Sequence, residues 1–154
     1  MPVYYFDSSA IAKRYITEVG SNWVANIADA SSGNDILISM LARVEVAAAI
    51  FKRQREGSIS AVDAASAVAD FINDFESQYQ PMDVPIHLVE RAADLAQSHA
   101  LRSYDAVQLA TALESSDIRD FLSLPKLVFV SADKHLNMSA QSEGLTIDNP
   151  SHHP

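Results

Sequence analysis

Val3-Tyr4-Tyr5-Phe6-Asp7-Ser8-Ser9 is the stretch that decides the fold. Four β-prone residues run straight into a carboxylate, two hydroxyl residues follow, and residues 10–15 are helix-prone. A buried strand that ends in Asp and turns at once into a helix sets that carboxylate at the carboxyl edge of a sheet. In open α/β sheets, ligands bind at that edge.

Working outward, the same pattern recurs late in the chain. Leu127-Val128-Phe129-Val130 is a second buried strand, and Ser131-Ala132-Asp133 again brings an acid to a helix start. Ile36-Leu37-Ile38 and Leu145-Thr146-Ile147 read as further short strands, and residues 81–85, bounded by prolines, as an edge strand or connector. Helical segments lie between them. The first runs from Ser8 or Ser9 to about Val19 and stops at Gly20; the next covers residues 22–30. Residues 40–56, capped by Ser39, carry Leu41, Val44, Ala48 and Phe51 at helical spacing. After Gly57 a partner helix reaches about Tyr79, with Val62, Ala65, Val68, Ala69, Ile72 and Phe75 inward. Residues 87–99, 104–115 and 134–142 complete the helices, and 117–124 read as irregular. Strands alternating with helices predict an α/β fold, a three-layer α/β/α sandwich around a mostly parallel sheet. One nuclease-type domain is expected over residues 1–148, with 149–154 as a disordered tail.

Composition narrows the chemistry. The chain of 154 residues has the length of one ordinary domain and contains no cysteine, which excludes disulfides, zinc–thiolate sites and cysteine catalysis. No stretch reads as a signal peptide or a membrane span, so a cytoplasmic protein without membrane contact is expected. The net charge of −9 opposes phosphate binding. A nucleic-acid substrate would require a metal ion or a local cationic cluster to offset the repulsion.

Most acids fall where solvated helix faces put them, but Asp7, Glu45, Asp105 and Asp133 do not. Asp7 and Asp133 follow buried strands. Glu45 borders the apolar stripe of its helix, and Asp105 lies in a first helical turn. Each alone has an ordinary explanation: Asp7 and Asp133 as helix caps, Asp105 as a complement to the helix dipole, Glu45 as a boundary residue. Together they are placed at one sheet edge, where carboxylates repel and raise one another's pKa. A hard divalent cation, Mg²⁺ or Mn²⁺, relieves that conflict. The chemistry that follows is phosphodiester hydrolysis, with the ion activating water and offsetting developing charge.

The segments Asp7-Ser8-Ser9-Ala10, Arg43-Val44-Glu45, Ser103-Tyr104-Asp105-Ala106-Val107-Gln108-Leu109-Ala110 and Val130-Ser131-Ala132-Asp133 resemble the four acidic motifs of PIN-domain ribonucleases, above all the VapC toxins of toxin–antitoxin pairs. The resemblance runs from Val3 to about Ile147. It implies that Asp7, Glu45, Asp105 and Asp133 coordinate Mg²⁺ or Mn²⁺, with Ser8 and Ser131 as helpers; Ser9 also follows Asp7, so which hydroxyl assists stays open. It further implies RNA as substrate, endonucleolytic cutting, a cognate antitoxin that occludes the site, and a homodimer. The helical hairpin of residues 40–79, with its Ala-rich stretches, is the candidate for gripping the antitoxin. Lys13, Arg14, Arg43, Arg102 and Lys134 stand close in sequence to the acids and are candidates to position phosphates. Lys52, Arg53 and Arg55 fall at a helix C-terminus and read as structural. The alternative is a catalytically inactive PIN-like module that binds RNA or protein. Aspartyl-phosphate chemistry of the haloacid-dehalogenase type is disfavoured because Ser9 stands where a second Asp is needed.

Overall fold

The computed structural model describes residues 2–154. Strands β1 (Val3–Phe6), β2 (Asp35–Ser39), β3 (Gln80–Met82), β4 (Leu127–Val130) and β5 (Thr146–Asp148) form one sheet in the order β3-β2-β1-β4-β5. Every pairing is parallel, with Tyr5 opposite Leu37 on one side and Phe129 on the other. Helices α1 (Ser8–Ile11), α2 (Ser21–Ala28), α3 (Ala42–Arg55), α4 (Ala61–Ser77), α5 (Ile86–His99), α6 (Ser103–Phe121) and α7 (Lys134–Ser142) cover its two faces.

Strand periodicity sorts the core. Val3, Tyr5, Leu37, Leu127 and Phe129 point to one face and meet α5, α6 and α7 through Leu88, Leu95, Leu109, Leu113 and Leu136. Phe6, Ile36, Ile38 and Val130 point to the other and meet α1 to α4 through Ile11, Val24, Val46, Ile50, Phe71 and Phe75. A sheet buried on both faces explains why its strands read as continuous apolar runs. The three-layer α/β/α sandwich is therefore as the alternation of elements predicts.

The chain steps from β1 through β2 to β3 in one direction, then crosses to β4 and β5 in the other. The reversal leaves a crevice between the carboxyl ends of β1 and β4, the usual position of a ligand site in such sheets. Asp7 follows β1 and Asp133 lies just beyond β4.

Helix boundaries and phases differ from the sequence reading in four places. Helix α1 gives way to a 3₁₀ turn at Ala12–Arg14 rather than continuing to Val19. The buried positions of α3 are Ala42, Val46 and Ile50, whereas Val44 and Phe51 are exposed. In α4, Ala64, Phe71 and Phe75 are buried and Val62 is exposed. Helix α6 continues through the segment read as irregular to Phe121, because no Gly or Pro interrupts it before Pro125.

Residues 149–154 are ordered rather than a loose tail. The Asn149 side chain accepts from the Ser151 amide at 2.9 Å and starts a 3₁₀ turn, Pro150–His152. The His153 ring stacks flat on Trp23 at 4.3 Å and meets the Asp148 carboxylate at 2.8 Å. Gly20, with φ +88°, receives the Pro150 carbonyl, which would lie 2.3 Å from any Cβ placed there. No helix among the described residues is long and apolar enough to cross a membrane.

Candidate metal centre and active site

Each predicted carboxylate is delivered by a different element. Asp7 caps α1: its Oδ1 accepts from the Ala10 amide at 2.9 Å and from Ser9 Oγ at 2.7 Å. Its Oδ2 accepts from Ser131 Oγ at 2.8 Å. Asp133 caps α7 through Oδ1, which accepts from the Leu136 amide at 3.0 Å. Glu45 lies in the first turn of α3 and Asp105 in the first turn of α6. The ordinary cap readings of Asp7 and Asp133 thus hold, and capping uses one oxygen of each.

All four acids line one cavity of about 430 Å³, together with Ser8 and Ser9. Ser131 is fully buried behind Asp7, where its hydroxyl also accepts from the Asp133 amide at 3.0 Å. Ser131 therefore ties the carboxyl end of β1 to that of β4. Ser9 adds a second tie, accepting from the Ala132 amide at 3.1 Å. Asn137 holds the same turn by donating to the Ser131 carbonyl at 2.7 Å.

Sequence reading gave no role to Gln108, which is 2% exposed at the base of the cavity. Tyr5 Oη donates to Gln108 Oε1 at 2.8 Å, which fixes the amide orientation. Gln108 Nε2 is thereby turned to donate to Glu45 Oε1 at 2.8 Å and to Ser8 Oγ at 3.0 Å. A buried tyrosine thus orients, through one amide, an acid of the site. The available signal was spacing: Gln108 follows Asp105 by one helical turn and is the polar residue among Val107, Leu109 and Ala110.

The basic run on α3 also reads differently in three dimensions. Glu45, Ala49, Lys52, Arg53 and Glu56 share one helical face and all line the cavity. Lys52 and Arg53 therefore belong to the site rim as well as to the helix C-terminus. Lys13 is buried beside them and pairs with Glu18 at 3.3 Å.

Burial pushes the Asp7 carboxyl from an ordinary 3.8 up to about 7. Hydrogen bonds from Ser9, Ser131 and the Ala10 amide oppose the rise, and the nearby Asp105 charge adds to it. Burial raises Glu45 as well, against hydrogen bonds from Gln108 and Ser8. A carboxyl raised on folding holds a proton that the unfolded chain has released. Its contribution to stability is present below the unfolded value and is lost as pH rises through the folded one. Metal-free protein is expected to lose on the order of 3 kcal/mol between pH 4 and 8 from Asp7 alone. Urea unfolding after EDTA treatment, read as a difference from Asp7→Asn, measures it; a difference curve flat with pH would contradict this assignment.

Donor chemistry fits a hard divalent ion, since the carboxylates of Asp7, Glu45, Asp105 and Asp133 and the hydroxyls of Ser8 and Ser9 line the cavity and no sulfur or imidazole is among its described lining residues. The arrangement is not a closed cage: among the described residues no three acids stand close enough to hold an ion as they are. Arg102 intervenes, donating from Nε to Asp105 Oδ2 at 3.0 Å and from Nη2 to Asp133 Oδ2 at 3.4 Å.

Comparison with known proteins places this geometry. A family model described as the PIN domain matches residues 4–137. Ribonucleases VapC45 and VapC49 of Mycobacterium tuberculosis are each 34% identical over 147 residues, covering 96% of this chain and 95% of theirs. Among solved structures, PAE2754 from Pyrobaculum aerophilum aligns with a TM-score of 0.67 at 19% identity, covering 98% of this chain and 85% of that one. VapBC2 from Rickettsia felis, bound to a DNA fragment from its promoter, aligns at 0.59 and 13% identity over 96% and 98% of the two chains. At such identities the structures speak for the fold alone. The family match and the near-full-length relatives go further, and make the chain a member of the PIN-domain family.

Proposed function

We propose that the chain is a divalent-metal-dependent endoribonuclease, the toxin of a toxin–antitoxin pair. The observation that carries this reading is the meeting of Asp7, Glu45, Asp105 and Asp133, from four separate elements, on one cavity at the topological switch point. Relatives named as ribonucleases VapC45 and VapC49 support the activity and, with the resemblance of the four acidic motifs to VapC toxins, the partnership.

Asp7, Glu45, Asp105 and Asp133 would hold Mg²⁺ or Mn²⁺. A bound ion would supply Lewis-acid stabilisation of charge at the phosphate and would make a hydroxide nucleophile available near neutral pH. The chain's own residues do the rest. Ser131 and Ser9 keep the Asp7 carboxylate oriented from both sides. Gln108 keeps Glu45 facing the cavity. Ser8 lines the same wall and is placed to touch a bound phosphate. Lys52, Arg53 and Arg102 stand at the rim, where they offset phosphate repulsion in a chain of net charge −9.

The α3–α4 hairpin is the proposed antitoxin grip, supported by the exposed apolar side chains Val44, Phe51 and Val62. A second copy of the chain is proposed to cover the apolar end of α6, where Ile118, Phe121 (88% exposed) and Leu122 stand in solvent. A cytoplasmic setting belongs to the same reading.

The test is direct. Purified protein is expected to cut total RNA with added Mg²⁺ or Mn²⁺, to stop on addition of excess EDTA, and to resume when the ion is restored. Cleavage that survives the chelator would overturn the mechanism.

A further inference from the structure

The four cations that line the cavity are paired in two different ways. Lys13 and Arg53 both pair with Glu18, at 3.3 and 3.0 Å, and Lys52 pairs with Glu56 at 3.8 Å. Those acids lie outside the proposed metal set. Arg102 pairs, among the described residues, only with Asp105 and Asp133, which belong to that set. An ion held by that set would compete with Arg102 for both of its partners and with none of the partners of the other three cations.

We propose that Arg102 is a movable phosphate-binding arm. It bridges Asp105 and Asp133 while no ion is bound, and is released by the ion to hold the RNA phosphate. The inference rests on the metal-site reading above.

Mobility and anchoring are both built in. The Arg102 side chain is 81% exposed, so its movement breaks little packing. Its backbone is fixed on both sides: Leu101 is buried in the core, and Arg102 occupies the N-cap position of α6 in an extended conformation. Ala100, with φ +52°, turns the chain into this position from the end of α5. Exposed ion pairs are weak and easily exchanged. A divalent ion competes for the same Oδ2 atoms and repels the guanidinium once it is seated. The released side chain presents a planar fork of donors, which matches phosphate oxygens two at a time.

The arm opposes the ion before loading and assists the substrate after it, so its removal separates two quantities that a structural residue would move together. In Arg102→Gln, Mn²⁺ alone, titrated calorimetrically at low ionic strength, is expected to bind about three- to tenfold more tightly. Cleavage of total RNA at saturating Mn²⁺ is expected to fall about tenfold or more. Arg102→Lys keeps charge without the fork and is expected to restore weaker Mn²⁺ binding but only part of the cleavage rate. Unchanged or weaker Mn²⁺ affinity in Arg102→Gln would overturn the proposal, and so would tighter binding with an undiminished cleavage rate. If wild-type protein binds no Mn²⁺, the metal-site reading itself fails. Binding by wild type with no gain in the variant fails the arm alone.

Discussion

Asp7→Asn is expected to abolish RNA cleavage, by on the order of 10³-fold, while leaving the metal-free protein more stable than wild type at pH 8. The two effects share one cause. Asp7 is 3% exposed and stands against the ends of β1 and β4. Burial penalises its charge there and lifts its carboxyl to about 7. Asparagine keeps the acceptor that caps α1 at the Ala10 amide and that receives Ser9. Its amide can donate to Ser131 Oγ, where the carboxylate accepts in the wild type. The cap survives and the charge is lost. Above pH 7 the variant therefore escapes the ionisation cost, a gain on the order of 3 kcal/mol that vanishes near pH 4. Thermal or urea unfolding across pH, beside a cleavage assay, reads both halves. A variant less stable than wild type at pH 8, in the absence of metal, would show that Asp7 is a structural carboxylate.

Gln108→Leu is expected to cost about 3–5 kcal/mol of stability and to slow cleavage by about 10²-fold. Leucine nearly matches glutamine in shape, so the loss is polar. Tyr5 Oη, fully buried, loses its acceptor; Ser8 and Glu45 lose their common donor. An orphaned buried hydroxyl is costly because water cannot reach it. The companion Tyr5→Phe removes that orphan, and the double variant is expected to recover about 1–2 kcal/mol relative to Gln108→Leu. Cleavage is not expected to recover with it, since Glu45 remains unheld. Recovery of both, or of neither, would contradict the relay from Tyr5 through Gln108 to Glu45. Denaturant unfolding of the four proteins and their cleavage rates suffice.

The fold was legible because strands of a parallel sheet, buried on both faces, cannot be mistaken for amphipathic helices, and because Asp7 and Asp133 each stop such a strand. The meeting of Asp7 and Asp133 at one sheet edge was legible for the same reason, whereas Glu45 and Asp105 are carried by helices and reach the same cavity through the packing of α3 and α6. The phase of α3 was not legible. Its Ala-rich sequence offers Val44 and Phe51 as plausible inward residues, while the core takes Ala42, Val46 and Ile50. Lys52 and Arg53 share the face of Glu45 through their spacing of seven and eight residues, and the observed phase turns that face to the cavity. Gln108 was hidden by its chemistry, since a neutral amide among apolar residues carries no charge signal. Its importance comes from Tyr5, a partner far away in sequence. The C-terminal segment was misread because the contact that orders it joins opposite ends of the chain.

That terminal contact gives the protein an optical gauge. The chain contains one tryptophan, and His153 lies flat against it. Trp23 is not among the residues that line the cavity of the four acids, so its emission is expected to follow the terminus rather than the chemistry. An affinity tag placed after Pro154 would load that stack directly, whereas one ahead of β1 would leave the gauge undisturbed.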